Sequence, residues 1–190
     1  MQPCGKLTFI SERILAPLAM QDTFYFPSAE RQNRIAAVYT DDTGKLTCDE
    51  ADLRRGAKYP APEGGLYSTA NDMANFYQMM LNKGTLDGHR FLSPISVELM
   101  TTVQTGDLKA GFSPGIGFGL GWAVVKDPQG MFRLNSLGTY GHGGGYRTYG
   151  WVDPNKDMIG VIMLQRTNGG GDLADEINSF MAMAGAAIER

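Results

Sequence analysis

Tyr149-Gly150-Trp151-Val152-Asp153-Pro154-Asn155-Lys156-Asp157-Met158-Ile159-Gly160-Val161-Ile162-Met163-Leu164 is the stretch that decides the fold. Asp153 to Asp157 gathers residues that favour turns, and strand-forming runs flank it on both sides. The spacing predicts an antiparallel hairpin between strands at 146–152 and 158–165. Met158 to Leu164 is apolar on both faces, the pattern of a strand covered on both sides at a sheet centre. Upstream, two further strands are expected at 119–126 and 132–139. Downstream, Asp172 is placed to cap a helix in which Leu173, Ile177, Phe180, Met181, Ala184 and Ile188 form one apolar stripe. That helix is expected on one face of the sheet.

Before Gly111 the period is helical. Ser68 or Thr69 precedes a run in which Ala70, Met73, Phe76, Tyr77, Met80 and Leu81 keep helical spacing, with Lys83-Gly84 as the stop. Ser93-Pro94 opens a shorter helix, serine at the cap and proline in the first turn. Leu7 to Leu15 is amphipathic, with Phe9, Ile10, Ile14 and Leu15 on one face, and Pro17 ends it. Ile35–Tyr39 and Lys45–Cys48 flank a turn at Asp41-Asp42-Thr43-Gly44, and its adjacent carboxylates read as a solvated turn, not a metal cage. Helices segregated around an antiparallel sheet give an α+β class.

The chain has 190 residues and a formal charge of −3. A single domain of this size buries roughly 70% of its unfolded surface without staples. With no basic excess, no phosphate backbone is expected as a partner. No apolar run reaches the length of a membrane span. Residues 1–7 lack the apolar core of a secretory signal. Cys4 and Cys48 stand far apart, and their spacing argues neither for a disulfide nor for a metal site; no cofactor or metal is expected. The 25 glycines are about twice the usual share, concentrated at 111–121, 138–150 and 169–171.

The middle cluster carries the chemistry. Gly138-Thr139-Tyr140-Gly141-His142-Gly143-Gly144-Gly145-Tyr146 brackets one imidazole with glycines. Glycine lets a ligand or backbone approach and bares N–H groups that bind an oxyanion. Read from the residues alone, this is either such a site or a glycine-rich hairpin with a surface histidine. The other histidine, His89, sits in Leu86-Asp87-Gly88-His89-Arg90 and reads as an exposed turn residue.

Gly141-His142-Gly143-Gly144, then Tyr149-Gly150-Trp151-Val152-Asp153-Pro154 and Ile159-Gly160-Val161-Ile162-Met163, resembles the third active-site motif and last hairpin of the β-lactamase-related serine hydrolases. This is the class C β-lactamase and penicillin-binding-protein-like group, with its esterases and DD-peptidases. Pro17 to Thr23, Gly64 to Met73, Leu92-Ser93-Pro94 and Gly119-Leu120-Gly121-Trp122 resemble it as well, in order. The resemblance implies one partial domain over 1–190, helical and irregular over 10–100, with the sheet and last helix over 115–190. It also implies site roles. His142 takes the place of the lysine in a Lys-Thr-Gly triplet, and Gly145 offers half of an oxyanion hole. Tyr140, Gly143, Gly144 and Tyr146 line the substrate wall. A neutral imidazole, reference pKa about 6.5, favours neutral acyl esters or amides over substrates held by a carboxylate.

The family's nucleophile and base form a Ser-x-x-Lys pair. Ser11, Ser28, Ser68, Ser93, Ser96, Ser113, Ser136 and Ser179 all lack Lys three residues on. Ser68 reads as a helix cap and Ser136 as strand surface. The family places that pair and its Tyr motif upstream of the matching region, so the resemblance is to the C-terminal half of a longer enzyme. The chain alone is expected to be inactive. Three readings stand: a fragment of a serine acyl hydrolase, a non-catalytic scaffold derived from one, or one chain of a two-chain enzyme. The related fold pairs the strand at 158–165 with one from its N-terminal end, which leaves this strand at an edge. Self-association or a partner chain is expected along it.

Overall fold

The computed structural model describes residues 5–42, 44–49, 59–60, 64–108, 113–167 and 175–188. Helix α1 (Gly5–Ile10) widens into a π turn over Ser11–Leu15. That turn carries an extra residue, which shifts the phase of the apolar stripe. Ile14 and Leu15 therefore reach the core while Phe9 stays exposed. A 3-10 turn at Ala29–Arg34 leads to β1 (Val38–Asp42) and β2 (Lys45–Asp49), an antiparallel hairpin. The Asp41 carboxylate accepts the Gly44 N–H at 2.8 Å, a local side-chain bond across the turn.

Helix α2 (Ala70–Leu81) starts at Thr69, whose hydroxyl accepts the Asp72 N–H at 3.2 Å. Ser68 instead bonds the Thr23 hydroxyl at 2.7 Å. The buried Asp72 carboxylate takes the Thr23 hydroxyl at 2.7 Å and the Asp22 N–H at 2.9 Å, pinning that loop to the helix. A small hairpin follows, β3 (Thr85–Leu86) with β4 (His89–Arg90), and His89 is exposed. Helix α3 (Pro94–Thr101) is capped by Ser93, which accepts the Ser96 N–H at 3.1 Å.

The main sheet is an antiparallel meander of β5 (Ile116–Phe118), β6 (Ala123–Val125), β7 (Tyr140–Gly143), β8 (Tyr149–Asp153) and β9 (Met158–Ile162). Strand β10 (Arg166–Thr167) leaves it and pairs in parallel with β1. Helix α4 (Asp175–Ala186) follows; the expected cap Asp172 and Leu173 lie outside the described residues. Strand alternation sends neighbouring side chains to two cores. Val124, Tyr140 and Val152 join Tyr77, Met80, Trp122 and Leu18 on the α2 side. Val125, Tyr149 and Trp151 join Phe132, Ile177 and Met181 on the α4 side. The fold class is α+β.

Two expected strands come out differently. The one at 119–126 is only Ala123–Val125, and β5 precedes it. The one at 132–139 is not a strand: a 3-10 turn at Gly130–Phe132 runs on into further turns. Its fate is set by Asp153, fully buried, which accepts the Ser136 N–H at 2.9 Å and so spends that donor away from any ladder. The hairpin of β8 and β9 forms as expected. Strand β9 is half-buried along its length and, among the described residues, pairs with β8 alone.

Burial pushes the Tyr77 hydroxyl up to about 12 and raises that of Tyr140 further still. Both folded values exceed the unfolded value near 10. The stability they contribute is full below pH 10, where both states are protonated. It is lost as pH rises toward 12, because the unfolded chain ionises first. Unfolding free energy is expected to fall steeply above pH 10, and Tyr77→Phe to make that fall shallower. Urea titrations at pH 8 and pH 11 measure it; equal pH slopes in the two proteins would contradict the burial argument.

Candidate active site

Strand β7 ends where the hairpin to β8 must turn, and the glycines make that turn tight. His142 stands opposite Gly150 and Gly143 opposite Tyr149. Beyond them the Gly144 N–H donates to the Thr148 carbonyl at 2.8 Å, and the Arg147 N–H to the Gly144 carbonyl at 3.0 Å. This closes a turn over 144–148. Gly145 sits at its outer end, exposed, with no hydrogen-bond partner among the described residues. A Cβ built there would meet nothing within 4 Å. A bare N–H in open space is free to bond an incoming oxyanion.

The His142 ring is exposed, and the Phe118 ring stands edge-on to it at 6.3 Å. Its Nδ1 lies 2.7 Å from the Gly143 carbonyl oxygen. A carbonyl only accepts, so Nδ1 carries the proton in that bond. In the neutral ring Nε2 is then left as an acceptor. The chemistry on offer is one imidazole acceptor and one unspent backbone donor at the same end of the sheet.

The structure thus brings His142, Gly143, Gly144 and Gly145 together, with the half-buried Tyr146 in the same turn. Tyr140 it places elsewhere. That ring is 3% exposed and packs edge-on to Trp122 at 5.3 Å, so it sits in the α2-side core and not on the open wall. Lying two residues before His142 puts it on the same sheet face, but the cover over that face ends between the two. Among the described residues no serine hydroxyl bonds His142 or a lysine.

Two neighbours escaped the sequence reading. Phe118 lies in β5, whose three residues between glycines give no strand pattern. Arg147 falls in the expected strand at 146–152 with no role assigned; its side chain is only 7% exposed and its Nη1 lies 3.0 Å from each Glu176 carboxylate oxygen. Nothing local signals a pairing with a residue 29 positions on.

A Mycobacterium tuberculosis protein designated Rv1367c is 39% identical over 173 residues, covering 82% of this chain and 42% of its own length. The D-alanyl-D-alanine-carboxypeptidase/endopeptidase AmpH of Escherichia coli K12 is 26% identical over 158 residues, covering 82% of this chain and 38% of itself. The chain therefore spans well under half the length of these relatives. Among solved structures, EstCE1, a hydrolase with promiscuous acyltransferase activity, superposes with a TM-score of 0.76 at 19% identity, over 94% of this chain and 50% of that one. Residues 7–180 match the family model described as Beta-lactamase, and with the sheet, the helices and the His-Gly-Gly turn in place this chain belongs to that family of serine hydrolases.

Proposed function

We propose that this chain supplies one wall of a serine acyl-hydrolase site, and that on its own it forms no acyl-enzyme. The observation that carries the reading is Gly145, whose exposed, unpartnered N–H lies three residues beyond an imidazole held with Nδ1 on a carbonyl. In acyl transfer a nucleophile adds to the carbonyl carbon, and the negative charge that develops on oxygen needs donors already in position. Gly145 provides one. The second donor and the nucleophile are expected on a Ser-x-x-Lys segment, and none occurs in residues 1–190. His142, presenting an acceptor, suits a neutral ester or amide better than a substrate anchored by a carboxylate. The name of AmpH points to peptidase chemistry and the description of EstCE1 to hydrolase and acyltransferase chemistry; this chain's share of it is binding and charge stabilisation.

Incubation of the 190-residue chain with a fluorophosphonate probe, read by intact mass, tests the reading. No serine is expected to be labelled, and a short-chain nitrophenyl ester is expected to turn over at the buffer rate. Stoichiometric labelling of any serine would overturn it.

A further inference from the structure

Arg147 is a buried charge inside the glycine turn, and the chemistry above does not use it. Its backbone is left-handed, φ +63°, a conformation that costs any residue with a Cβ and persists only where the surroundings impose it. Within itself the turn has two backbone bonds, Gly144 to Thr148 and Arg147 to Gly144. Further restraint comes from outside. Glu176, in the first turn of α4, takes the Arg147 Nη1 on both carboxylate oxygens at 3.0 Å. The same carboxylate accepts Arg166 Nη1 at 2.6 Å, and Arg166 also pairs with Asp41 of β1. The Arg166 N–H reaches the Tyr146 carbonyl at 3.3 Å. Two elements that do not belong to the hairpin therefore grip it, α4 and β10, and β1 braces β10 through the Asp41–Arg166 pair.

We propose that Arg147 is a positioning residue, and that its pairing with Glu176 holds the 144–148 turn in the form that leaves the exposed Gly145 N–H unbonded. The proposal rests on the reading of Gly145 as an oxyanion donor only for what the ordering serves; the ordering itself is a property of this chain. The site then answers to α4. Displacing Glu176 or Arg166 loosens the donor without touching His142.

The test compares Arg147→Met, which keeps most of the side-chain length and loses the charge, with Arg147→Lys, which keeps a cation. Amide exchange and backbone order parameters are measured on each 190-residue protein, beside a urea unfolding curve. In Arg147→Met the Gly144 and Arg147-position amides are expected to exchange at least ~10-fold faster, and the Gly145 order parameter to drop below about 0.6. The β8 amides of Gly150 and Trp151 should keep their protection. Arg147→Lys should recover most of the turn's order. A Met variant with an ordered turn overturns the proposal. So does one that loses turn and sheet together or fails to fold, since Arg147 would then be a structural residue only. None of these readouts involves turnover, so a failure here is distinct from unexpected fluorophosphonate labelling.

Discussion

Trp151→Ala is expected to destabilise the chain by about 3–5 kcal/mol, the range for deleting a large buried aromatic. The side chain is 0% exposed, tilted against Tyr149 at 6.2 Å and edge-on to Phe180 at 5.6 Å. It joins the middle of the sheet to α4, so its loss opens a cavity between two layers. A small domain has about 5–15 kcal/mol in total, so this one change removes a large part of it. The indole lies directly over Gly160 of the neighbouring strand, where a built Cβ would come within 2.2 Å of the ring. Gly160→Ala should therefore cost about 1–3 kcal/mol by overpacking. The two changes should not add. In the Trp151→Ala background the new methyl enters vacated space, and most of its cost should vanish. Urea unfolding of the four proteins of this cycle decides it. Equal costs for Gly160→Ala in both backgrounds would show that the indole is not what excludes a side chain there.

The second large effect is expected at the end of α2. Gly84 has φ +89°, and a Cβ there would lie 2.3 Å from the Leu92 carbonyl oxygen. Its N–H donates to the Met79 carbonyl at 2.9 Å, and its own carbonyl takes the Phe91 N–H at 2.8 Å, so the backbone cannot slide aside. Gly88, in the hairpin between β3 and β4, has φ +77° and nothing within 4 Å. The pair separates strain from contact. Gly88→Ala should cost about 1–2 kcal/mol, the left-handed penalty alone. Gly84→Ala should cost that plus about 1–3 kcal/mol of overpacking. Midpoints from chemical denaturation compare them, and equal losses at the two sites would refute the contact with Leu92.

Local chemistry explains what the sequence shows of this fold. The caps at Thr69 and Ser93, the Asp41 turn and the hairpin over 153–157 all rest on bonds within a few residues, so their signals sit in short windows. His142 and its glycines are legible for a similar reason, since glycine density marks a tight turn wherever it occurs. The failures are tertiary. The segment 132–139 has strand-like residues, but Asp153 draws its backbone into a turn. Tyr140 shares a sheet face with His142, and only the packing of Trp122 shows that one is covered and the other bare. Arg147 draws no notice in the sequence, because its partner Glu176 arrives only with α4. Pairing of β10 with β1 joins residues separated by 127 positions, beyond the reach of any periodicity.

That last pairing also sets a timetable. Strand β1 lies between β2 and β10 in its sheet; one neighbour follows it at once in the sequence and the other comes 127 residues on. On a ribosome β2 follows β1 at once, and the hairpin can close while synthesis continues. Strand β10 is made 127 residues later, on the order of ten seconds at ordinary rates of elongation. For that interval one side of β1 carries open N–H and C=O groups with no partner yet made. The Asp41 carboxylate, which later takes Arg166, stands beside this edge in the meantime. A charge beside an open strand edge discourages pairing with another chain, so the Asp41 carboxylate that ends in an ion pair can serve earlier, while the chain is still being built.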